Sequence, residues 1–200
     1  MKAALDAIAA ASRATDGRVL IAIAGPPGAG KSTLAEALAD RIAGAAVVPM
    51  DGFHLDNTVL EQRGLLARKG APESFDAAGF LNMVTRLKRG EEVVIPVFDR
   101  ARDIAIAGAR VIGPEQRVLL IEGNYLLLDR APWNRLAGCW DLTIGIEVPL
   151  PVLEARLVQR WRDHGLMQAA AVARAMGNDI PNAQQVVAGS VSADVVIRQG

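Results

Sequence analysis

The chain has 200 residues, of which 51% are hydrophobic, and this predicts a single domain, residues 1–200, with a sizeable core. Lys plus Arg and Asp plus Glu both number 22, so no overall field attracts a nucleic-acid backbone or an anionic membrane surface. Small molecules, or further copies of the chain in a homodimer, are therefore the expected partners.

The predicted elements begin with an amphipathic helix, whose apolar residues recur at helical spacing from Leu5 onward. Residues 18–24 (RVLIAIA) are short, apolar and followed by glycine and proline, which predicts a strand. Helix-forming residues occupy 31–42, and residues 46–50 form a second β-rich piece. Strand, helix and strand together make one βαβ unit.

The rest of the chain repeats this alternation of helices and strands. Helices are predicted at 75–89, from 151 to about 163 and around 168–176, and strands at 93–98, 118–122, 141–148 and 193–197. Residues 103–113 alternate around glycines and are expected to form a small hairpin added to the sheet. Near-continuous apolar strands between helices predict an α/β fold, with a mainly parallel sheet covered on both faces.

The single cysteine and the apolar runs bear on the compartment. Cys139 has no partner for an internal disulfide, which fits a reducing compartment. Asp6 interrupts the apolar residues near the amino terminus, and no apolar run approaches the roughly 20 residues of a membrane span. A cytoplasmic location without membrane insertion is expected.

The first predicted strand is followed directly by GPPGAGKST, residues 25–33, which satisfies the phosphate-loop pattern in its strand-to-helix context. Successive backbone N–H groups of such a loop converge on the β-phosphate of ATP, while Lys31 reaches the β and γ oxygens and Ser32 reaches Mg²⁺. An ordinary glycine turn is disfavoured because pattern, strand and helix agree. The predicted ATP-binding residues are Gly25, Gly28, Ala29, Gly30, Lys31, Ser32 and Thr33.

An acid at the end of a neighbouring apolar strand usually completes a phosphate-loop site. The segment VLLIEG supplies Glu122 at such a position, where many phosphate-loop proteins have aspartate. Glu122 is therefore predicted to hold Mg²⁺, either directly or through water. The alternative is a solvated glutamate at a strand end.

Five segments occur together from about Val19 to Ile197, namely GPPGAGKST, PMDGFHLDN, RKGAPESFD, PVFDR and IEGNYLLLD. Their order resembles that of the family of uridine kinases, phosphoribulokinases and bacterial pantothenate kinases, and most of all its small bacterial branch often labelled fructose-transport-system kinase or nucleoside kinase-like protein. The resemblance implies a three-layer P-loop kinase with a helical lid. It also implies transfer of the γ-phosphoryl group of ATP, with Mg²⁺, to a hydroxyl of a small metabolite.

The resemblance gives Asp51 of PMDGFHLDN the place of the aspartate that ends the second strand in this family. A carboxylate there would lie beside the phosphates, where it can accept the proton of the attacking hydroxyl and interact with Mg²⁺. Asp51 is therefore predicted to act as catalytic base, substrate ligand and metal ligand. The alternative is that Asp51 caps a turn through Gly52.

Further polar residues match segments that border the acceptor pocket in related kinases: His54, Lys69, Asp99, Arg100 and Arg102. The uridine-kinase pattern PVYD stands here as PVFD, with Phe98 in place of tyrosine, and Arg100 stands where pantothenate kinases place a histidine. The acceptor is therefore left open between a sugar such as fructose, a nucleoside and a pantothenate-like alcohol. The alternative for RKGAPESFD is a surface loop whose Ser74 or Asp76 caps the next helix.

The segment EARLVQRWRDHG offers the cations that a lid would contribute to the transferred phosphoryl group. Arg156 and Arg160 are four residues apart and share a helical face, whereas Arg162 points elsewhere unless the helix ends first. By analogy with the family's arginine-rich lid, Arg160 and Arg162 are predicted to act in catalysis. The alternative for these arginines is a solvated basic face of the helix. In a separate segment, residues 178–182 are expected to lie near the adenine.

A second function class is a regulatory ATP-binding module coupled to a transport system, whose output is a conformation and not a product. Such a module would hydrolyse ATP slowly whatever sugar is present. Release of ADP that depends on an acceptor would identify the kinase.

Overall fold

A computed structural model describes all residues, 1–200. The strands are β1 (Val19–Ala24), β2 (Ala45–Pro49), β3 (Val93–Asp99), β4 (Ile104–Ile112), β5 (Val118–Gly123), β6 (Leu142–Glu147) and β7 (Val195–Arg198). The α-helices are α1 (Lys2–Ala14), α2 (Lys31–Ala39), α3 (Asn57–Gln62), α4 (Ala77–Lys88), α5 (Leu150–Asp163), α6 (Gln168–Arg174) and α7 (Ile180–Gly189). A π-helical turn, Ala175–Asp179, joins α6 to α7.

The main sheet has five strands in the order β2-β5-β1-β6-β7, and all neighbouring pairs are parallel. Strand β1 lies in the centre and all six of its residues are buried, as the unbroken apolar run predicted. Parallel strands bring their carboxyl ends to one edge of the sheet, and ligands of open α/β sheets bind at that edge. The predicted α/β fold with a mainly parallel sheet is confirmed.

Buried apolar clusters of similar size, 22 and 20 residues, cover the two faces of the sheet, so the protein has three layers. On one face Phe80 and Leu87 of α4 pack against β1 and β5. On the other face Ile8 of α1, Leu38 of α2 and Leu153 of α5 form the second cluster. No helix is both long enough and apolar enough to cross a bilayer.

The prediction of a separate hairpin at residues 103–113 is wrong. The segment forms one strand, β4, which pairs antiparallel with β3 in a two-stranded sheet of its own. Alternate side chains of β3, such as Val93 and Ile95, are buried in the core. Strand β4 supplies hydrogen-bond partners for the backbone N–H and C=O groups of β3. The connection turns at Asp103, whose φ of 55° is left-handed, a conformation that aspartate tolerates.

The last helical region is longer than predicted, because helix continues beyond residue 176 to Gly189. Pro181 is the second residue of α7, which follows directly after the π-helical turn, and the helix passes through it without ending. Ile180 and Ala183 are buried against the sheet, and their packing stabilises this helix.

Candidate active site

The phosphate loop, residues 25–33, connects the end of β1 to the start of α2. Gly28 and Gly30 have φ angles of 81° and 82°, which glycine adopts at little cost and other residues avoid. The ammonium group of Lys31 donates to the carbonyl oxygen of Pro26 at 3.0 Å and to Oδ1 of Asn124 at 2.6 Å. Both acceptors are neutral, so this cation has no ion-pair partner within the protein.

Lys31 is 9% exposed, and burial lowers the pKa of its ammonium group, although the nearby carboxylates of Glu122 and Asp51 oppose that shift. The charges of Arg160 and Arg100 also act on Lys31 and lower its pKa further. The structure therefore gathers charged side chains from the ends of three strands and from α5. A buried cation that contacts only neutral oxygens is a site for an anionic ligand such as a phosphate.

Glu122 lies at the carboxyl end of β5, in register with Ile23 of β1 and Pro49 of β2. The residue is 5% exposed, and its Oε1 accepts a hydrogen bond from the hydroxyl of Ser32 at 3.1 Å. Burial raises the pKa of the Glu122 carboxyl. The structure therefore brings the Glu122 carboxyl group and the Ser32 hydroxyl together beside the phosphate loop.

No group of three or more His, Cys, Asp or Glu side chains could enclose a metal ion. Mg²⁺ does not need such a cage, since it is usually held by one or two carboxylates together with water and substrate phosphates. The buried Glu122 carboxylate and the Ser32 hydroxyl are hard oxygen donors beside the phosphate loop. This donor set fits Mg²⁺ that arrives with a nucleotide.

Asp51 lies in a short 3-10 turn, Met50–Phe53, that follows β2. Its Oδ2 accepts from Nη2 of Arg100 at 2.6 Å, so the end of β2 is joined to the turn after β3. Gly52 allows this approach, because a Cβ atom there would collide with the carbonyl oxygen of Pro96 in β3. Asp51 thus faces the crevice beside Glu122 and Lys31, whose pKa values respond to its charge.

His54 is held between two aromatic rings, with centroid distances of 4.0 Å to Phe75 and 4.6 Å to Phe98. Its Nδ1 lies 2.8 Å from the carbonyl oxygen of Asp51. Burial lowers the pKa of His54, so the neutral ring is favoured. The ring forms one wall of the crevice next to Asp51.

The burial of His54 predicts a stability that falls in acid. The unfolded chain titrates near the ordinary value of 6.5, so below about pH 6.5 protons bind the unfolded state first and favour unfolding. We expect the melting temperature of His54→Gln to fall less than that of the wild type between about pH 7.5 and about pH 5.5. The control is His164→Gln, at the other, exposed histidine. Equal decreases in wild type and His54→Gln would contradict the assignment.

Lys69 lies close to the same aromatic wall. Its Nζ contacts Oδ1 of Asn57 at 2.7 Å and Oδ2 of Asp103 at 2.8 Å, and it lies 5.2 Å from the centroid of the Phe98 ring. Arg102 and Asp99 pair with each other at 2.7 Å in the exposed turn between β3 and β4. The structure therefore brings Lys69 to the crevice and leaves the Arg102–Asp99 pair at its rim.

Residues 66–76, called the 66–76 loop below, are held by their own polar groups. Ser74 is fully buried, and its hydroxyl donates to the carbonyl oxygen of Ala71 and accepts from the N–H of Gly70. Asp76 caps α4 by accepting from the N–H of Gly79 at 2.8 Å. Asp76 thus caps the helix, and this role is compatible with a contact between the same loop and the acceptor.

The three arginines of α5 occupy different positions. Arg156 donates to the carbonyl oxygen of Gly28 at 3.3 Å and to Oε1 of Gln199 at 3.1 Å, beside the phosphate loop. Arg160 pairs with Asp179 at 3.2 Å, and its charge is near enough to Lys31 to lower the pKa of that ammonium group. Arg162 is exposed and contacts Gln159, because the helix continues to residue 163 and turns this side chain away.

Sequence reasoning passed over two residues that the fold brings to the site. Asn124, which holds Lys31, stands two residues after Glu122 in the segment IEGNY, and a polar residue at that strand end was the available signal. Arg156 shared a helical face with Arg160, and that spacing could have selected it over Arg162. Residues 178–182, which were expected near the adenine, lie in the helical region that follows α6, and Asn178, Asp179, Ile180 and Asn182 are buried there.

Three comparisons with known proteins agree with this geometry. A protein of Schizosaccharomyces pombe described as a candidate uridine kinase is 35% identical over 196 residues, 91% of this chain and 83% of that protein. The crystal structure of a candidate fructose transport system kinase from Silicibacter sp. TM1040 is 54% identical and has a TM-score of 0.93, with 98% of this chain and 97% of that chain covered. The pantothenate kinase of Clavibacter sepedonicus is 37% identical over 68% of this chain and 45% of its own length.

Residues 20–200 match the phosphoribulokinase/uridine kinase family. The match begins in β1 and includes the phosphate loop, the Asp51 turn, Glu122 and the arginines of α5. With the strand order and the site described above, it follows that the chain belongs to the phosphoribulokinase/uridine kinase family and is a small-molecule kinase, an ATP-dependent phosphotransferase.

Proposed function

We propose that this kinase binds ATP and Mg²⁺ at the phosphate loop and transfers the γ-phosphoryl group to a hydroxyl of a neutral metabolite beside Asp51. The observation that carries the proposal is the buried ammonium of Lys31, which contacts only neutral oxygens and lies near two carboxylates from adjacent strand ends. A phosphate group supplies the counter-charge that the protein itself does not.

The phosphate loop is proposed to hold ATP through the backbone of Gly25, Gly28, Ala29 and Gly30 and through Lys31, Ser32 and Thr33. Ser32 and Glu122 would hold Mg²⁺, with Asp51 near enough to contribute. Mg²⁺ neutralises charge on the phosphate oxygens when it is bound. Arg156 and Gln199, which meet beside Gly28, would flank the nucleoside half of ATP.

Asp51 is proposed as the base that accepts the proton of the acceptor hydroxyl. Arg100 occupies Oδ2 of this carboxylate, and Oδ1 has no hydrogen bond within the protein. Arg100 therefore orients Asp51 and leaves one oxygen free to receive the proton. Phosphoryl transfer depends mainly on positioning and charge neutralisation, so the base assists a reaction that Lys31 and Arg160 support electrostatically.

The charges around Asp51 favour a neutral acceptor over an anionic one. Apart from Lys31, which is assigned to the phosphates of ATP, each cation of the crevice is paired with an acid, as Arg100 with Asp51 and Lys69 with Asp103, and Arg102 pairs with Asp99 at the rim. No cation is left to bind the carboxylate of a pantothenate-like alcohol without breaking an existing pair. His54 and these paired side chains offer donors and acceptors for several hydroxyl groups.

A sugar such as fructose is the acceptor that we favour. The most identical of the three relatives above, at 54% identity, is described as a candidate fructose transport system kinase. A nucleoside is the second candidate, because the S. pombe relative is described as a candidate uridine kinase and the His54 wall is aromatic.

An acceptor screen tests the proposal directly. ADP release is measured with Mg²⁺ and ATP in the presence of fructose, other sugars, uridine, cytidine or pantothenate, and the phosphorylated product is identified by mass spectrometry. We expect a neutral polyol or nucleoside to raise ADP release and to gain one phosphate. Slow hydrolysis that no acceptor accelerates would support the regulatory module, and a preference for pantothenate would contradict the neutral acceptor.

Replacement of Lys31 by alanine should weaken ATP binding roughly 10- to 100-fold, because a charge-assisted contact of about 1.5 to 3 kcal/mol is lost. The fold should survive, since burial already disfavours this charge. Calorimetric titration with ATP measures the affinity, and thermal melting checks the fold. Lys2→Ala, on the exposed face of α1, is the matched control. Unchanged ATP affinity in folded Lys31→Ala would mean that the phosphate loop is not used.

A further inference from the structure

The π-helical turn Ala175–Asp179 lies between two parts of the site that are far apart in sequence. On one side is α5, which carries Arg160, and on the other is the 66–76 loop, which carries Lys69. The last two residues of the turn are both polar and both buried, with Asn178 2% and Asp179 7% exposed. Polar side chains are rarely buried unless hydrogen bonds satisfy them, so their partners identify what they hold.

Asp179 contacts α5. Its Oδ1 lies 3.2 Å from Nη2 of Arg160, and its Oδ2 accepts from Nε1 of Trp161 at 2.5 Å. The guanidinium of Arg160 also lies over the Trp161 ring, 5.4 Å from its centroid. Asp179 therefore fixes the guanidinium from one side, while Nε and Nη1 of Arg160 have no partner within the protein and remain available to a phosphate.

Asn178 contacts the 66–76 loop. Its Nδ2 donates to the carbonyl oxygen of Lys69 at 2.7 Å, and its Oδ1 accepts from Asn182, which in turn accepts from Arg68 at 3.1 Å. The loop is held from its other side by the hydroxyl of Tyr125, which donates to the carbonyl oxygen of Gly70. The backbone of Lys69 is thus fastened to the residue that precedes Asp179.

Asn178 and Asp179 end the π-helical turn, and their side chains contact different neighbours. One extra residue per turn rotates the side chains that follow, and such turns occur often at functional sites. The two contacts come from adjacent residues of one turn, so a movement of Arg160 that carries Asp179 with it reaches the residue that holds the backbone of Lys69. No other buried polar pair in the protein connects α5 to the crevice in this way.

We propose that Asp179 and Asn178 are positioning residues that couple the nucleotide side of the site to the acceptor side. When Arg160 engages the phosphates of a nucleotide, Asp179 holds the π-helical turn in one position. Asn178, which is bonded to the backbone of Lys69, then restricts the motion of the 66–76 loop. The bound nucleotide thereby prepares the loop to receive the acceptor. The inference rests on the proposed function, in which ATP occupies the phosphate loop.

Hydrogen–deuterium exchange tests this without knowledge of the acceptor. The full-length protein is compared with and without Mg²⁺ and the non-hydrolysable analogue AMP-PNP. We expect slower exchange in residues 25–33, where the analogue binds, and also in residues 66–76, by about 5-fold or more, the lower end for two coupled sites. Asp179→Asn and Asn178→Ala should each retain the protection at 25–33 and lose the protection at 66–76.

The control is Asp163→Asn, which makes the same change on the exposed end of α5, where Asp163 contacts only Gln159. This variant should behave as the wild type. Turnover of the acceptor found in the screen should fall in Asp179→Asn by up to about 100-fold, as for a displaced catalytic group, with little change in AMP-PNP affinity. In Asn178→Ala the KM for the acceptor should rise instead.

Two outcomes overturn the coupling. One is nucleotide protection in the wild type that is confined to residues 25–33, a result that does not depend on whether any variant folds. The other is protection at 66–76 that persists in both variants. An absence of protection at 25–33 would instead contradict the proposed ATP site, so the two failures are distinguishable.

Discussion

Asp51→Asn is expected to lower turnover by about 10²- to 10⁴-fold, the usual contribution of general-base assistance. Asparagine keeps the shape of the side chain and can still accept from Arg100, but it cannot take the proton of the acceptor hydroxyl. ATP binding without Mg²⁺ should change little, because Lys31 and the backbone of the phosphate loop are untouched. The melting temperature should also stay nearly constant, since Arg100 is exposed, Asp51 is only partly buried, and asparagine can still accept from Arg100.

The Mg²⁺ dependence of Asp51→Asn separates two roles. If Asp51 helps to hold the ion, the variant needs more Mg²⁺ at half-maximal rate, whereas a pure base leaves the requirement unchanged. Asp56→Asn is the matched control, because Asp56 caps α3 five residues away and asparagine caps as well as aspartate. An Asp51→Asn protein that melts early yet keeps its rate per folded molecule would identify Asp51 as a turn cap.

Arg160→Ala should reduce turnover by roughly 10³-fold, the low end for an arginine that neutralises the transition state of phosphoryl transfer. The affinity for ATP should change much less, since that charge develops after the ground state is bound. Steady-state kinetics with the identified acceptor, together with calorimetric titration of ATP, gives both quantities. Arg160→Lys keeps the charge but loses the planar fork, and its turnover should be intermediate.

Arg162→Ala is the internal comparison for Arg160→Ala. The sequence favoured both arginines equally, but Arg162 lies exposed against Gln159, and we now expect turnover within about twofold of the wild type for its alanine variant. Arg156→Ala should mainly weaken ATP binding, because Arg156 contacts Gly28 and Gln199. Near-normal turnover in Arg160→Ala would mean that the arginines of α5 form a solvated basic face without a catalytic role.

The local patterns of the sequence were sufficient for the phosphate loop and for most of the sheet. The conformation of the segment GPPGAGKST follows from its own residues, since glycines at 28 and 30 permit the left-handed backbone and Lys31 begins the helix. Likewise, RVLIAIA and VLLIEG predicted the two central buried strands, and both are entirely buried. Such signals are contained within about ten neighbouring residues, and periodicity is enough to interpret them.

Pairing between distant segments was harder to predict. Residues 103–113 were expected to fold on themselves, yet they pair with β3, and the helix that was expected to end near residue 176 continues to Gly189. In both cases the buried surface decided the outcome, because tertiary packing outweighs weak local preferences. Resemblance to the family identified the chemistry, and its segments named Asp51 and Glu122 as candidates.

The sequence by itself determined the phosphate loop, the alternation that makes a parallel α/β sheet, and the class of kinase, because each is written in short contiguous segments. Only the tertiary structure decided which charges meet: Arg100 with Asp51, Asn124 with Lys31, and Asp179 with Arg160. These partners are 49, 93 and 19 residues apart, and the order of strands and the packing of α5 bring them together. A linear pattern records the types of these side chains, whereas their distances follow from the whole fold.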